Sequence, residues 1–143
     1  MSFNLRVYGL LINGNNEVLL SDENKVNRTF TKFPGGGLEF GEGTVDCLQR
    51  EFREELAIDV EVKELFYLTE HFQVSAFDKN DQVISFYYFV DSAQKHKITT
   101  KNERFDFNGE EEVHRWKSIE QLNPENFLFP IDKVVVKKLK QLS

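Results

Sequence analysis

The sequence is poor in the residues that staple small folds together. Cys47 is its only cysteine in 143 residues, so no disulfide forms within the chain and a structural zinc site of the cysteine type is excluded. Long apolar runs are missing too. Nothing approaches the ~20 consecutive apolar residues that span a bilayer, and the N-terminus has no signal-peptide pattern, so a cytoplasmic protein is the expectation. Basic charge is also scarce. The net charge is −6, which argues against nonspecific nucleic-acid binding, since that needs a basic face. An anionic ligand would therefore depend on a metal and a few local cations.

What is present is ordinary globular composition, 40% hydrophobic and 29% charged. The length predicts one domain over residues 1–143 with a sizeable core. Phenylalanine is abundant, at 14 residues, which suits a compact core and a stacking surface for a ring.

Residues 3–13 read as a strand, Asn13–Asn16 as its turn, and 17–21 as the returning strand. The polar run 22–28 reads as a loop. Residues 29–33 are extended, because the residue before Pro34 is pushed out of helical geometry. Residues 58–73 predict one long or two broken strands, 74–81 a connection, and 82–91 a further strand. The polar stretch 92–109 has no clear periodicity. A short strand is expected over 111–117, then a turn at 118–122. A closing helix begins near Pro130, with Ile131, Val135, Leu139 and Leu142 as its apolar stripe. Strands before and after a central helix, closed by a second helix, make a mixed α/β domain.

The decisive stretch is 34–58, where a turn rich in glycine (Gly35, Gly36, Gly37, Gly41, Gly43) leads into a helix. Thr44 reads as its N-cap, and Asp46 places negative charge where the helix dipole favours it. Val45, Leu48, Phe52 and Leu56 share an arc of roughly 80°, with Glu51, Glu54 and Glu55 on the adjoining arc of about 100°. Like charges at i,i+4, here Glu51 and Glu55, cost about 0.2–0.5 kcal/mol even when exposed. A hard divalent cation removes that conflict, because Mg²⁺ is held by carboxylates and by substrate phosphate oxygens. The glycine turn adds backbone groups and a surface that a phosphate chain can approach closely. Carboxylates, a metal and bare backbone together describe pyrophosphate chemistry.

Gly36, five residues, Glu42, seven residues, then Arg50-Glu51-Phe52-Arg53-Glu54-Glu55-Leu56-Ala57-Ile58 resembles the Nudix box. By composition alone such a match has odds on the order of one in ten million per start position. One position departs: Ala57 stands where the family usually has glycine at the helix exit. The resemblance implies an α/β/α sandwich with a mixed central sheet and a loop–helix–loop catalytic unit. It implies hydrolysis of a pyrophosphate bond in a nucleoside diphosphate linked to another moiety X, with Mg²⁺ or Mn²⁺ as cofactor. Glu51, Glu54, Glu55 and the Gly35 carbonyl would then be the metal ligands, and Arg50 would orient a glutamate. Glu39 and Glu42 would serve in the loop or around the ligands.

The general base is open between a box glutamate and a carboxylate from another loop, with Glu70 and Glu110, Glu111 and Glu112 as candidates and Glu111 the one selected. His71 is a weaker site candidate, His96 reads as solvated and His114 as packing. Asp132 is a further candidate for contacting a base. The family accommodates homodimers, although no stretch of this chain requires one. The different-class alternative is a Nudix-fold nucleotide-binding or regulatory domain without catalysis. Such domains usually lose box carboxylates, and this chain keeps them.

Overall fold

The computed structural model describes residues 1–142, so the end of the expected domain at Ser143 lies just outside the described residues. In chain order it contains strands β1 (Ser2–Leu11), β2 (Glu17–Lys25), β3 (Arg28–Lys32) and β4 (Gly35–Gly37), then helix α1 (Thr44–Leu56). Strands β5 (Glu61–Leu68), β6 (Asp81–Asp91) and β7 (Glu112–Ser118) follow, and helix α2 (Pro130–Leu142) closes the chain. Both helices and a mixed sheet are as the sequence implies. The chain divides into two compact units, Met1–Leu11 with Pro34–Ile98, and Ile12–Phe33 with Thr99–Ser143. No helix among the described residues is long and apolar enough to cross a membrane.

The first unit holds the sheet β4-β1-β6-β5. β1 and β6 run parallel from Ser2↔Asp81 to Leu11↔Val90, while β4 and β5 join antiparallel. α1 packs on the face that carries Val7, Gly9 and Val90. A Cβ at Gly9 would lie 2.6 Å from the Phe52 ring, so the missing side chain is what lets that ring lie on β1. Leu48 and Phe52 are fully buried, and burial of such side chains contributes about 1.5–3 kcal/mol each.

Several expectations for α1 need correction. Its N-cap is Gly43, not Thr44; the Asp46 carboxylate accepts from the Gly43 N–H at 3.1 Å. The Thr44 hydroxyl instead hydrogen-bonds the Tyr88 hydroxyl at 2.7 Å. Val45, expected in the apolar stripe, is exposed, whereas Cys47 is fully buried. Ala57 does adopt the left-handed C-cap (φ 55°, ψ 36°), with its N–H donating to the Arg53 carbonyl. A Cβ is disfavoured there by roughly 1 kcal/mol. Ala57→Gly is therefore expected to raise unfolding free energy by about 0.5–1 kcal/mol, read as a higher urea midpoint at unchanged m.

The second unit holds the antiparallel sheet β3-β2-β7. The expected loop at 22–28 is largely strand, because β2 runs on to Lys25 and turns tightly at Val26 and Asn27. Both turn residues have positive φ (54° and 58°), the type I′ geometry that matches strand twist. Val-Asn is an unusual pair for that turn, which hid it. The 58–73 segment is strand only over β5, with bulges between Val62 and Tyr67. Single 3-10 turns occupy Lys95–Lys97, Ile119–Gln121 and Pro124–Asn126.

A candidate metal-dependent active site on α1 and the glycine strand

The glycine strand is the edge of the first sheet. Gly9 N–H donates to the Pro34 carbonyl and Leu38 N–H to the Leu5 carbonyl, each within 2.9 Å. In an antiparallel ladder hydrogen-bonded pairs alternate with non-bonded ones. Val7 and Gly36 are therefore the bonded pair between these two, and the carbonyls of Gly35 and Gly37 point off the outer edge. The Gly37 carbonyl accepts from Arg50 Nη2 at 3.1 Å and Cys47 Sγ at 3.5 Å. The Gly35 carbonyl is turned outward in the way its expected ligand role requires. Gly35 itself has φ +143°, a region that side chains rarely tolerate.

Glu51 lies directly over Gly36: its Oε1 would be 2.6 Å from a Cβ built there. Gly36 thus lacks a side chain because a carboxylate occupies the space. Glu51 is 13% exposed and Glu54 59%, while Glu55 is half-buried. Arg50 Nη1 donates to Glu51 at 3.0 Å and to Glu54 at 3.2 Å. One nitrogen bridging two carboxylates shows that their oxygens converge on a cation, and this donor set suits a hard divalent ion. The oxygens of Glu51 and Glu54 thus have the chemistry that the expected metal takes.

Arg50 is the organiser of the loop. Besides those two contacts it reaches Glu42 with Nε at 3.0 Å and Nη2 at 2.7 Å. These bonds, with help from the Glu39 N–H, hold the Glu42 carboxyl down at about 2. Glu39 stands 3.7 Å from Arg50 and is itself exposed. Cys47 is inert: burial, then Glu42, pushes its thiol up to about 12.

The second unit carries a titratable cluster that the sequence did not reveal. On one face of its sheet Lys32 Nζ meets Glu23 at 2.9 Å, and Ser21 Oγ donates to Glu112 at 2.9 Å. Burial and the hydrogen bond with Glu23 raise the Glu112 carboxyl to about 7. Burial, then Lys32, lowers His114 to about 4. Burial would also raise Glu23, but Lys32, the hydrogen bond with Glu112 and Lys25 together outweigh it, and the carboxyl stays below its usual range. Glu111, the residue selected by sequence, is exposed and precedes β7. Glu112 is the member of the acidic run that turns into the sheet. Glu110 bonds the Asn108 N–H and lies 3.6 Å from Lys101. Glu70 and His71 are exposed, and Asp132 is fully buried in the first turn of α2.

The two perturbed groups oppose each other in pH dependence. A carboxyl raised in the folded state stabilises below the unfolded value, near 4.5, and that stability is lost as pH climbs to about 7. A histidine lowered to about 4 does the reverse, favouring the fold as pH rises from 4 to 6.5. The wild type is therefore expected to show a nearly flat stability between pH 4.5 and 6.5. Glu112→Gln should expose the histidine slope, with stability rising by on the order of 2 kcal/mol over that range, read by urea unfolding at successive pH values.

Known structures share this architecture at low identity. The E. coli ORF135 protein superposes with TM-score 0.67 at 20% identity, covering 99% of this chain and 91% of that one. A NUDIX hydrolase from Nitrosomonas europaea gives 0.69 at 17%, covering 97% and 88%. An ADP-ribose pyrophosphatase from Streptococcus suis gives 0.60 at 18%, covering 95% and 86%. No curated protein matches this chain. Residues 3–139, however, match the model of the NUDIX domain, and the chain belongs to that family.

Proposed function

We propose that the chain hydrolyses a pyrophosphate bond in a nucleoside diphosphate linked to a further moiety, with Mg²⁺ or Mn²⁺ as cofactor. It is a pyrophosphohydrolase of the Nudix type, and both units together form its single domain. The observation that carries this reading is the convergence of Glu51 and Glu54 on one cationic nitrogen beside the bare Gly35–Gly37 edge. The ADP-ribose pyrophosphatase and UDP-X diphosphatase among the similar structures are of the same substrate type.

In this reading Glu51, Glu54, Glu55 and the Gly35 carbonyl hold the ion, which when bound supplies charge neutralisation on the non-bridging phosphate oxygens. Arg50 keeps Glu51 and Glu54 aligned and anchors the loop through Glu42 and the Gly37 carbonyl. The glycine edge lets the phosphate chain lie close to the backbone. Within the acidic run, Glu111 is the proposed general base, exposed just ahead of β7, with Glu110 and Glu112 as the alternatives. The enzyme acts on small molecules in the cytoplasm, without nonspecific nucleic-acid binding, and its family accommodates a homodimer. The test is phosphate or nucleotide release from nucleotide sugars, ADP-ribose, nucleoside triphosphates and dinucleoside polyphosphates with either metal. Turnover of at least one, abolished by EDTA, is expected. Metal-dependent nucleotide binding with no cleavage of any would establish the regulatory alternative instead.

A further inference from the structure

The chain contains two Asn-Gly pairs, Asn13-Gly14 and Asn108-Gly109, and their surroundings are opposite. Asparagine is among the thermolabile side chains, and a following glycine leaves the next backbone nitrogen unshielded. At Asn13 the side-chain amide is tied down. Its Oδ1 accepts from the Asn15 N–H at 2.9 Å and the Glu17 N–H at 3.1 Å, and its Nδ2 donates to Glu17 Oε1 at 2.9 Å. At Asn108 only the backbone N–H is engaged, donating to the Glu110 carboxylate. The Asn108 side-chain amide has no hydrogen-bond partner among the described residues.

Asn108, Gly109 and Glu110 are all exposed, in the irregular stretch that leads into β7. Gly109 has φ +90°, and a Cβ built on it would meet nothing within 4 Å. Its N–H has no partner among the described residues, so neither packing nor a hydrogen bond holds the nitrogen away from Asn108. That nitrogen can attack Cγ of the Asn108 amide. The N–Cγ bond forms, the Cγ–Nδ2 bond breaks, and ammonia leaves with the proton that the Gly109 nitrogen gives up. Water then opens the cyclic imide at either carbonyl. One opening gives aspartate, and the other gives isoaspartate with the main chain rerouted through Cγ. The sum consumes one water and releases one ammonia, with no oxidation or reduction.

We propose that Asn108 is a site of spontaneous deamidation through a cyclic imide with Gly109, while Asn13 is protected by the bonds that hold its amide. The modification writes a negative charge into the loop just ahead of Glu110 and Glu111, where like charges repel. The isoaspartate product also inserts a methylene into the main chain at the residue whose N–H holds the Glu110 carboxylate. Glu111 is the proposed general base, so the loop that carries it changes as the protein ages. This consequence for activity rests on the proposed pyrophosphohydrolase reading; the modification itself does not.

The experiment incubates the full chain in warm, mildly alkaline buffer and follows amide-to-acid conversion at each asparagine by peptide mass spectrometry. In the folded protein Asn108 is expected to convert at least tenfold faster than Asn13, into separable aspartate and isoaspartate products. In concentrated urea, where the bonds to Asn13 are gone, the two sites should convert at rates within threefold of each other. Gly109→Ala sets a methyl beside the attacking nitrogen and should slow Asn108 at least tenfold. Glu17→Ala releases the Asn13 amide and should quicken conversion there, which serves if Gly109→Ala folds poorly. Asn108 staying intact in the folded chain while the urea-unfolded chain converts would overturn the assignment, as would Asn13 converting as fast as Asn108 in the folded protein. Activity is read separately on the same samples. The kcat of aged wild type should fall as the converted fraction grows, while Gly109→Ala aged alongside keeps its own. Unchanged kcat at full conversion would overturn the consequence for the loop. Fresh wild type inactive on every substrate would instead sink the hydrolase reading, with the mass result unaffected.

Discussion

Glu54→Gln is expected to lower kcat at least ~10³-fold, equivalent to about 4 kcal/mol of lost transition-state stabilisation, with little change in folding stability. The side chain is 59% exposed, so the fold does not depend on it. Its charge is what the site requires, because a neutral amide is a poor ligand for a hard divalent ion. Glu51→Gln should lose activity on the same scale, yet the amide still fits the space above Gly36. The comparison that matters is thermal midpoint against kcat under saturating metal. Loss of activity without loss of stability supports a ligand role. A variant retaining a tenth or more of wild-type kcat would remove Glu54 from the metal site.

The second large effect concerns stability. Asp22 is completely buried and accepts from Arg115 Nε at 2.7 Å and Nη2 at 3.2 Å. It also accepts from the Thr31 hydroxyl at 2.7 Å and the Phe105 N–H at 3.2 Å. Four donors converge on one carboxylate, and removing it strands a buried guanidinium. Breaking such a pair costs about 3–5 kcal/mol, a large fraction of the ~5–15 kcal/mol available to a domain. Asp22→Asn is therefore expected to move the urea midpoint sharply downward. Phe105 adds to this, since it is an aromatic residue in the left-handed region (φ 59°), a conformation costing about 1–3 kcal/mol that surrounding contacts must impose. Arg104 helps impose it, lying 4.2 Å from the Phe105 ring and donating to Thr31 at 3.1 Å. A loss below about 1 kcal/mol in Asp22→Asn would mean that the buried pair contributes little to the fold.

These two effects mark the boundary of what the sequence discloses. The acidic helix and glycine turn were legible because their chemistry is local: fixed offsets along one helix and one turn place Glu51 over Gly36 and bring Glu51 and Glu54 to Arg50. The closing helix was legible from Pro130 at the first position and from its stripe, of which Ile131, Val135 and Leu139 are buried while Leu142, at the last turn, is exposed and Val136 is buried in its stead. The pairing of Asp22, Glu23 and Lys32 was not legible, since the first two look like solvated loop residues, and Lys32, in a stretch read as extended, gives no sign of its partner. Arg115 lies 93 positions from Asp22, and Glu112 meets Ser21 across 91; nothing in the local pattern announces such pairing. The extension of β2 was hidden for the same reason, because paired charges satisfied across strands replace the alternation that normally signals a sheet. Which of Glu111 and Glu112 turns into the sheet depends on where β7 starts, which no local pattern shows. The Gly43 cap was missed because a Thr next to a glycine looks like the better cap, while Asp46 supplies the hydrogen bond from within the helix.

The central claim is that Glu51, Glu54, Glu55 and the Gly35 carbonyl hold a divalent ion at the glycine edge. Anomalous diffraction from crystals grown with Mn²⁺ and a non-hydrolysable nucleotide sugar tests it most directly. A manganese peak within about 2.3 Å of those carboxylate oxygens, contacted by both the Gly35 carbonyl and a phosphate oxygen, is the predicted result. Bound nucleotide with no peak there, and with Glu51 and Glu54 still tied to Arg50, would contradict it.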